Sequence, residues 1–497
     1  MVGSGPIGAV FARTLVDAGK KVVMIDIGAQ ETRRVGDHKK NSVAVQKDIS
    51  LFTKTGQHAF IRNGQNPGQN PLKNLPAAAA TRVVGGMGSH WTCCIPRQHK
   101  TIERSDLFSD EEWDGLYTRA EKLMNKNDTA FDNSIRQKLV TKTLEEAYPG
   151  RKITRMPLAC ERSKLNEEYV EWSCSATILG KLSDPENKNK CFTIKPNTQC
   201  IELGVDDDGK IESAEVKDIL TNKTYSIKAK KYIICAGAVL TPGILFNSRA
   251  LAKRLSPALG KYMTEQPMAF CQVVLNKKLV DRVKKEPPLN EKWPEWISEH
   301  EDRYKNDPLP IPFSDPDPQC YFPLSKDYPW HTQIHRDAFG YGQVPPNVDQ
   351  RLIVDLRWFT YMEPNKHNYV EFSLDQKDQF GMPQPTFNFA LDDDALTRCE
   401  NMITDMISVA RKLGGFLPGA EPKYLANGSA LHICGTYRAG KEKRDSVVDR
   451  YGKVWGQDNL VLGGCGVIPT GNACNPTLTA ACFALAAADK ILQELGA

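Results

Sequence analysis

Two stretches hold residues whose types and spacing suit chemistry on a bound cofactor. In "MVGSGPIGAVFARTLVDAGKKVVMIDIG", Gly3, Gly5 and Gly8 open a helix that ends at Gly19, and Val22 to Ile25 form an apolar strand finishing at Asp26. Tight turn, helix and second strand with a terminal acid are the pattern of dinucleotide binding. The glycines let backbone N–H groups and the positive helix end meet a pyrophosphate, and Asp26 accepts from an adenosine ribose hydroxyl; the bland alternative is a simple β-turn-α. In "VVGGMGSHWTC", residues 83–93, His90 and Trp91 follow a glycine-rich turn, where backbone lacking Cβ can come close to a ligand. His331 and His335 share the i, i+4 spacing of a helical zinc pair, but no Glu follows His331 and the intervening Thr-Gln-Ile reads as strand, so no metal is expected.

The elements that must position these residues recur along the chain. Only Met1 and Val2 precede the first turn, whereas the strand carrying such a loop ordinarily takes about five or six residues; either the start is truncated or the strand is abnormally short. "KKYIICAGAV" (230–239) is an apolar strand running into Ala236 and Gly237, and "NLVLGGCGVIPTGNACNPTLTAACFALAAADKIL" leads from a strand through glycines to Pro476 and a buried helix of small residues. Distant segments thus converge on one long cofactor. Between them "AFCQVVL", "RLIVDLRWFTYM", "NYVEFSL" and "PTFNFAL" read as strands of a second domain's sheet. Residues 395–415 place Leu396, Cys399, Ile403, Met406 and Val409 or Ala410 at helical spacing, stop at Gly414 and Gly415, and predict an amphipathic helix on that sheet. The stretch 284–330, dense in Pro, Lys, Glu and Asp, reads as an excursion, in its simplest form a long surface loop.

Composition narrows the class. The 497 residues are 40% apolar and 25% charged, enough for two large domains or one domain with a substantial insertion, and the charge of +5 comes from 65 basic against 60 acidic residues without a basic track, which argues against nucleic-acid binding. Fourteen cysteines are too dilute for a disulfide scaffold and no Cys-x-x-Cys occurs, so most are expected to be reduced core residues. No run of eighteen apolar residues appears and residues 1–20 read as part of a fold. The expectation is a soluble intracellular, cytoplasmic protein, with secretion kept open by the abrupt start.

In order, the amino-terminal fingerprint, "TRVVGGMGSHWTC", "HTQIHRDAFGYG", "LHICGTYRAG" and "GGCGVIPTGNACNPTLTA" resemble the glucose–methanol–choline family of flavin oxidoreductases, and within it the pyranose-oxidising branch; "RLIVDLRWF", "GMPQPTFNF" and "GGFLPG" extend the likeness over nearly the whole chain. The resemblance implies an α/β fold with an FAD-binding Rossmann-like domain (1–105, 190–265 and 440–497). An interleaved α+β substrate-binding domain on a mainly antiparallel sheet (106–189 and 266–439) would carry the insertion near 284–330. It implies oxidation of an aldopyranose such as D-glucose at C2, with FAD taking the hydride and O2 or a quinone reoxidising it, O2 giving hydrogen peroxide. A related 3-oxidase of sugars or glycosides, or another alcohol oxidase of the superfamily, is the alternative. A flavin-fold scaffold without catalysis is disfavoured by a base and an amide beside a hydride acceptor.

The cofactor-binding set implied is Gly3, Gly5, Gly8, Asp26, Arg82, Gly86, Gly88, Ser89, His90, Thr92, Cys93, Cys200, Ala236, Gly237, Gly466 and Thr477. In similar enzymes the histidine at His90 bonds covalently to the flavin ring methyl, which raises the potential; the alternative is that His90 only lines the flavin site or satisfies a carbonyl. Relatives more often have Thr where Ser89 stands and Ser at Gly88. Thr92 would lie near the flavin's reactive nitrogen. His432 matches the family's base and Asn475 its amide partner; a packed core histidine between Leu431 and Ile433, and an N-cap before Pro476, are the structural alternatives. Asp337, Phe339 and Tyr341, with Gly340 and Gly342, match a mobile substrate loop that often has Ser at Gly340; Gln333 and Arg357 match sugar contacts, surface ion pairing being the ordinary reading of Arg357. Similar fungal enzymes carry a long assembly arm where "DISLFTKTGQHAFIRNG" stands here, so a monomer or dimer is expected instead of a tetramer.

Overall fold

A computed structural model of the chain describes residues 1–47, 60–62, 68–166, 169–285, 292–336 and 344–496. The parallel sheet that carries the nucleotide-type turn is assembled from four distant segments and a minimal centre. Strand Val22–Ile25 pairs with Phe192–Lys195, and Tyr232–Ile234 pairs with Leu460–Leu462, both parallel. Val2 bridges the two pairs, parallel to Ile25 and to Ile234. Its N–H donates to Ile233 O and its carbonyl accepts from Cys235 N, while Ile25 N donates to Met1 O and Gly3 N to Ile25 O. The short central strand therefore makes ladder bonds on both sides, and it delivers Gly3 directly into the turn.

Helix Pro6–Asp17 follows, with Pro6 in its first turn where a missing N–H costs nothing. Its buried Ile7, Val10, Phe11 and Leu15 join the same core as helix Thr477–Glu494, whose alanines let the two helices approach closely. A three-stranded antiparallel sheet, Thr198–Val205, Ile211–Asp218 and Thr224–Ile227, flanks this unit.

The second sheet is antiparallel. Its order is Gly414–Phe416, Met268–Leu275, Ile353–Thr360, Trp330–His335, Cys320–Tyr321 and Thr154–Arg155, with Lys423–Tyr424 also on Met268–Leu275. Helix Asp393–Leu413 lies on it, started by Asp392, whose side chain accepts from Ala395 N. Cys399, Met406, Val409 and Ala410 are buried as the spacing predicts, but Leu396 is 47% exposed and Met402 is buried in the sheet-facing row. Gly414 ends the helix and Gly415 already belongs to the next strand.

Three expectations need correction. "NYVEFSL" and "PTFNFAL" do not join the large sheet: Tyr369–Lys377 and Pro383–Asn388 form their own antiparallel pair. The excursion 284–330 is more than a surface loop, since Trp293, Ile297, Ile311 and Phe322 are buried in the second core and Cys320–Tyr321 is one of its strands. Segment 106–189, placed with the second unit by sequence, divides: Trp113, Tyr117 and Ala120 of helix Asp110–Leu123 lie in the first core, while Ile135, Leu139, Val140 and Leu144 of helix Ile135–Ala147 lie in the second. All fourteen cysteines are free, and all but Cys191 and Cys465 are buried. Among the described residues no helix is long and apolar enough to cross a membrane.

Candidate active site

One cavity is lined by Gly3 and Gly5 of the first turn and also by His432 and Asn475, residues more than four hundred positions later in the chain. The turn is shaped by its glycines. A Cβ on Gly8 would stand 2.1 Å from Gly3 O, whereas one on Gly5 would meet only Gly85 O at 3.9 Å, so Gly8 holds the turn tight and Gly5 presents open backbone. Helix Pro6–Asp17 has no side-chain cap, and Pro6 and Ile7 line the cavity, leaving its positive end available to an anion. Arg82 lines it too; its Nη2 pairs with Asp378 at 2.7 Å, while buried Nε and Nη1 have no hydrogen-bond partner among the described residues. Uncapped helix, open glycine and unused guanidinium donors fit the phosphate and ribose portion of a flavin dinucleotide. Asp26 is largely committed: it accepts from Ser4 N and Ser4 Oγ at 2.9 and 2.6 Å and from Gly28 N at 2.8 Å, and burial pushes its carboxyl upward.

His90 is buried on the cavity wall, its Nε2 2.8 Å from Thr81 Oγ1, and burial pushes its imidazole down to about 4. A neutral ring at neutral pH retains the nucleophilic lone pair that a flavinylated histidine needs. Thr92, Gly86, Gly88, Cys200, Ala236, Gly237 and Thr477 share the cavity. Four expected cofactor residues do not line it. Cys93 is turned into the core, its thiol donating to Ser173 O at 3.4 Å, and the neighbouring Cys94 takes the wall position. Ser89 donates to Gly86 O inside its own turn, Gly8 acts on the turn from behind, and Gly466 leaves room for the Tyr437 ring.

The chemistry-bearing pair sits on one hydrogen-bond chain. Asn475 Nδ2 lies 3.2 Å from His432 Nε2, and Asn475 Oδ1 accepts from Gln333 Nε2 at 2.9 Å. His432 is preceded by Leu431 at φ 59°, a conformation rare for a branched residue, which turns the chain at the cavity wall. Burial, with further help from His331 and Arg357, pushes His432 down to about 3, so the ring is neutral. Arg357 is buried and its Nε donates to His335 Nε2 at 2.7 Å; it and Gln333 stand on adjacent strands, face to face in register, and both line the cavity. This excludes surface ion pairing for Arg357. Asn475 is not an N-cap: helix Thr477–Glu494 is preceded by Pro476 in that role. Asp337, Phe339 and Tyr341 lie outside the described residues. His331 and His335 stand on a strand, and no cluster of three metal-ligating side chains occurs among the described residues.

Sequence reasoning missed the polar residues behind the site. Gln266 Oε1 is 2.7 Å from His432 Nδ1; Glu265 accepts from His432 N and Gln266 N; Glu103 accepts from Ala473 N and Cys474 N, just ahead of Asn475. The available signal was the polar pair Glu265-Gln266 immediately before an apolar strand.

Comparison with known proteins bears on the family of the chain. A profile described as GMC oxidoreductase matches residues 364–484. The pyranose 2-oxidase of Emericella nidulans is 41% identical over 564 aligned positions, covering 100% of this chain and 92% of its own. That of Lyophyllum shimeji is 39% identical, covering 100% and 91%. Among solved structures, an Aspergillus oryzae formate oxidase studied for its FAD modification matches with TM-score 0.68 at 15% identity, covering 99% of this chain and 97% of that one, a likeness of fold.

Proposed function

The chain belongs to the pyranose 2-oxidase family of GMC oxidoreductases, and from this premise we propose that it oxidises an aldopyranose such as D-glucose at C2, with His432 as general base and Asn475 as its amide partner. The observation that carries this reading is the 3.2 Å approach of Asn475 Nδ2 to His432 Nε2 on the wall of the cavity that also holds the Gly3–Gly8 turn. Bound FAD would supply the acceptor for the hydride leaving the sugar carbon, with O2, giving hydrogen peroxide, or a quinone as the final oxidant.

The protein's part is proton transfer and orientation. The sugar hydroxyl gives its proton to His432 Nε2, and Asn475 Nδ2 donates to the oxygen as it gains charge. Gln333 holds Asn475 Oδ1, which keeps the amide's donor side toward the imidazole and the hydroxyl. Arg357, whose Nε donates to His335 Nε2, stands beside Gln333 on the adjacent strand of the cavity wall, where it would face the sugar. The helix start at Pro6, Gly5 and Arg82 would hold the cofactor's phosphate and ribose portion, and His90 the flavin ring.

His432→Ala should retain FAD and lose about 100- to 10,000-fold in anaerobic flavin reduction by glucose. Reduction at the wild-type rate would remove His432 from the role. NMR of products from several aldoses assigns the carbon: a 3-keto product would move the chain's reaction from C2 to C3.

A further inference from the structure

A histidine base works only in the tautomer that leaves the reacting nitrogen without a proton, so something must choose between Nδ1 and Nε2. Gln266 is 4% exposed and does not line the cavity, so it reaches neither sugar nor flavin. Its Nε2 donates to two backbone carbonyls, Asn472 O at 2.7 Å and Cys474 O at 2.8 Å. Reversing the amide would point Oε1 at two carbonyl oxygens, so those contacts fix its orientation. Oε1 is thereby turned on His432 Nδ1 at 2.7 Å, and an amide oxygen can only accept. The proton must lie on Nδ1, and Nε2 keeps its lone pair toward Asn475. The loop receiving the Gln266 donors is the one that ends in Asn475; it is further held by Gln98, whose Nε2 donates to Asn472 Oδ1 at 2.8 Å.

We propose that Gln266 is a positioning residue that selects the Nδ1–H tautomer of His432 and couples that ring to the loop presenting Asn475. The inference rests on the reading of His432 as base. One amide serves both halves of the site, which a simple packing contact would not require.

The test uses the holoenzyme with Gln266→Leu, Gln266→Glu and, as reference, His432→Ala. Anaerobic flavin reduction by D-glucose is followed over a range of pH, and the ring tautomer is read from 15N spectra of histidine-labelled protein. The His432 signal is the one lost in His432→Ala. Gln266→Leu should lower the limiting reduction rate by roughly 10- to 1,000-fold, part of a general base's full effect, with half-saturating glucose nearly unchanged, and the His432 signal should lose its Nδ1–H character. Gln266→Glu keeps an acceptor, and its carboxylate favours the imidazolium, so its rate should fall at a higher pH than in the wild type as pH is lowered. Among the described residues Glu265, His331, Arg357 and Cys434 are the other titratable or charged groups around His432, and they are the same in the wild type and the Gln266 variants.

An unchanged tautomer and limiting rate in Gln266→Leu would overturn the proposal, as would a loss confined to half-saturation. If Gln266→Leu does not fold, an acid limb in Gln266→Glu that coincides with the wild type's overturns it instead. Should His432→Ala reduce flavin normally, the base reading fails separately, and the 15N spectra still decide whether Gln266 sets the ring.

Discussion

Glu265 lies buried beneath the backbone N–H of His432, and burial pushes its carboxyl from the ordinary 4.5 up to about 8. Between those values the folded protein holds a proton that the unfolded chain has released, so the folded state loses stability as pH rises through that window and keeps Glu265's full contribution only below it. Glu265→Gln, which cannot ionise, should therefore flatten the fall in thermal midpoint between about pH 4.5 and 8 relative to the wild type; equal slopes in the two proteins would show that Glu265 is already ionised when folded. His90 permits a simpler experiment. With a neutral imidazole on the cavity wall, acid-precipitated protein should stay yellow and His90→Ala should release FAD to the supernatant, whereas release from the unmodified protein means noncovalent binding. His90, His432 and Asn475 entered through the resemblance of the motifs that hold them, and the structure brings all three to one cavity wall. Glu265 and Gln266 were not legible in the sequence, because their work is done on the back of another side chain and leaves no spacing rule in the chain.

At the scale of elements, the turn from Val2 into helix Pro6–Asp17 is where geometry leaves least freedom. Because a Cβ on Gly8 would stand 2.1 Å from Gly3 O, Gly8→Ala should displace the helix start and lower FAD retention sharply, while Gly19→Ala, where nothing lies within 4 Å but φ is 76°, should cost only about 1 kcal/mol and leave FAD bound. Flavin content per protein after gel filtration separates the two. The parallel strands and the helix over 395–415 were readable because apolar period and glycine stops agree there. Strand partners were not: "NYVEFSL" has the same alternation whether it joins the large sheet or pairs with Pro383–Asn388, since period 2 encodes a buried face and not a neighbour. The excursion 284–330 misled by composition, because the apolar residues it buries, among them Trp293, Ile297, Ile311 and Phe322, are diluted among charged ones.

For the whole molecule the open quantity is association. The relatives' alignment runs over 564 positions against 497 residues here, so the Emericella protein carries material with no counterpart in this chain. Sequence places the missing material near residues 50–62, most of which lie outside the described residues; Phe60–Arg62 pairs with Ala79–Thr81, the strand that contributes Thr81 to the cavity wall. If that material is an assembly arm, its loss removes part of an obligate interface, which commonly buries 2,000 Å2 or more, and association weakens accordingly. Among the described residues the exposed large apolar side chains include Leu72, Leu165, Leu220 and Phe313. We therefore expect a monomer or dimer. Light scattering behind a sizing column at micromolar concentration is the measurement: a mass of one or two copies of 55.5 kDa supports the argument, and a mass of four copies means that other surfaces hold a tetramer together without the arm.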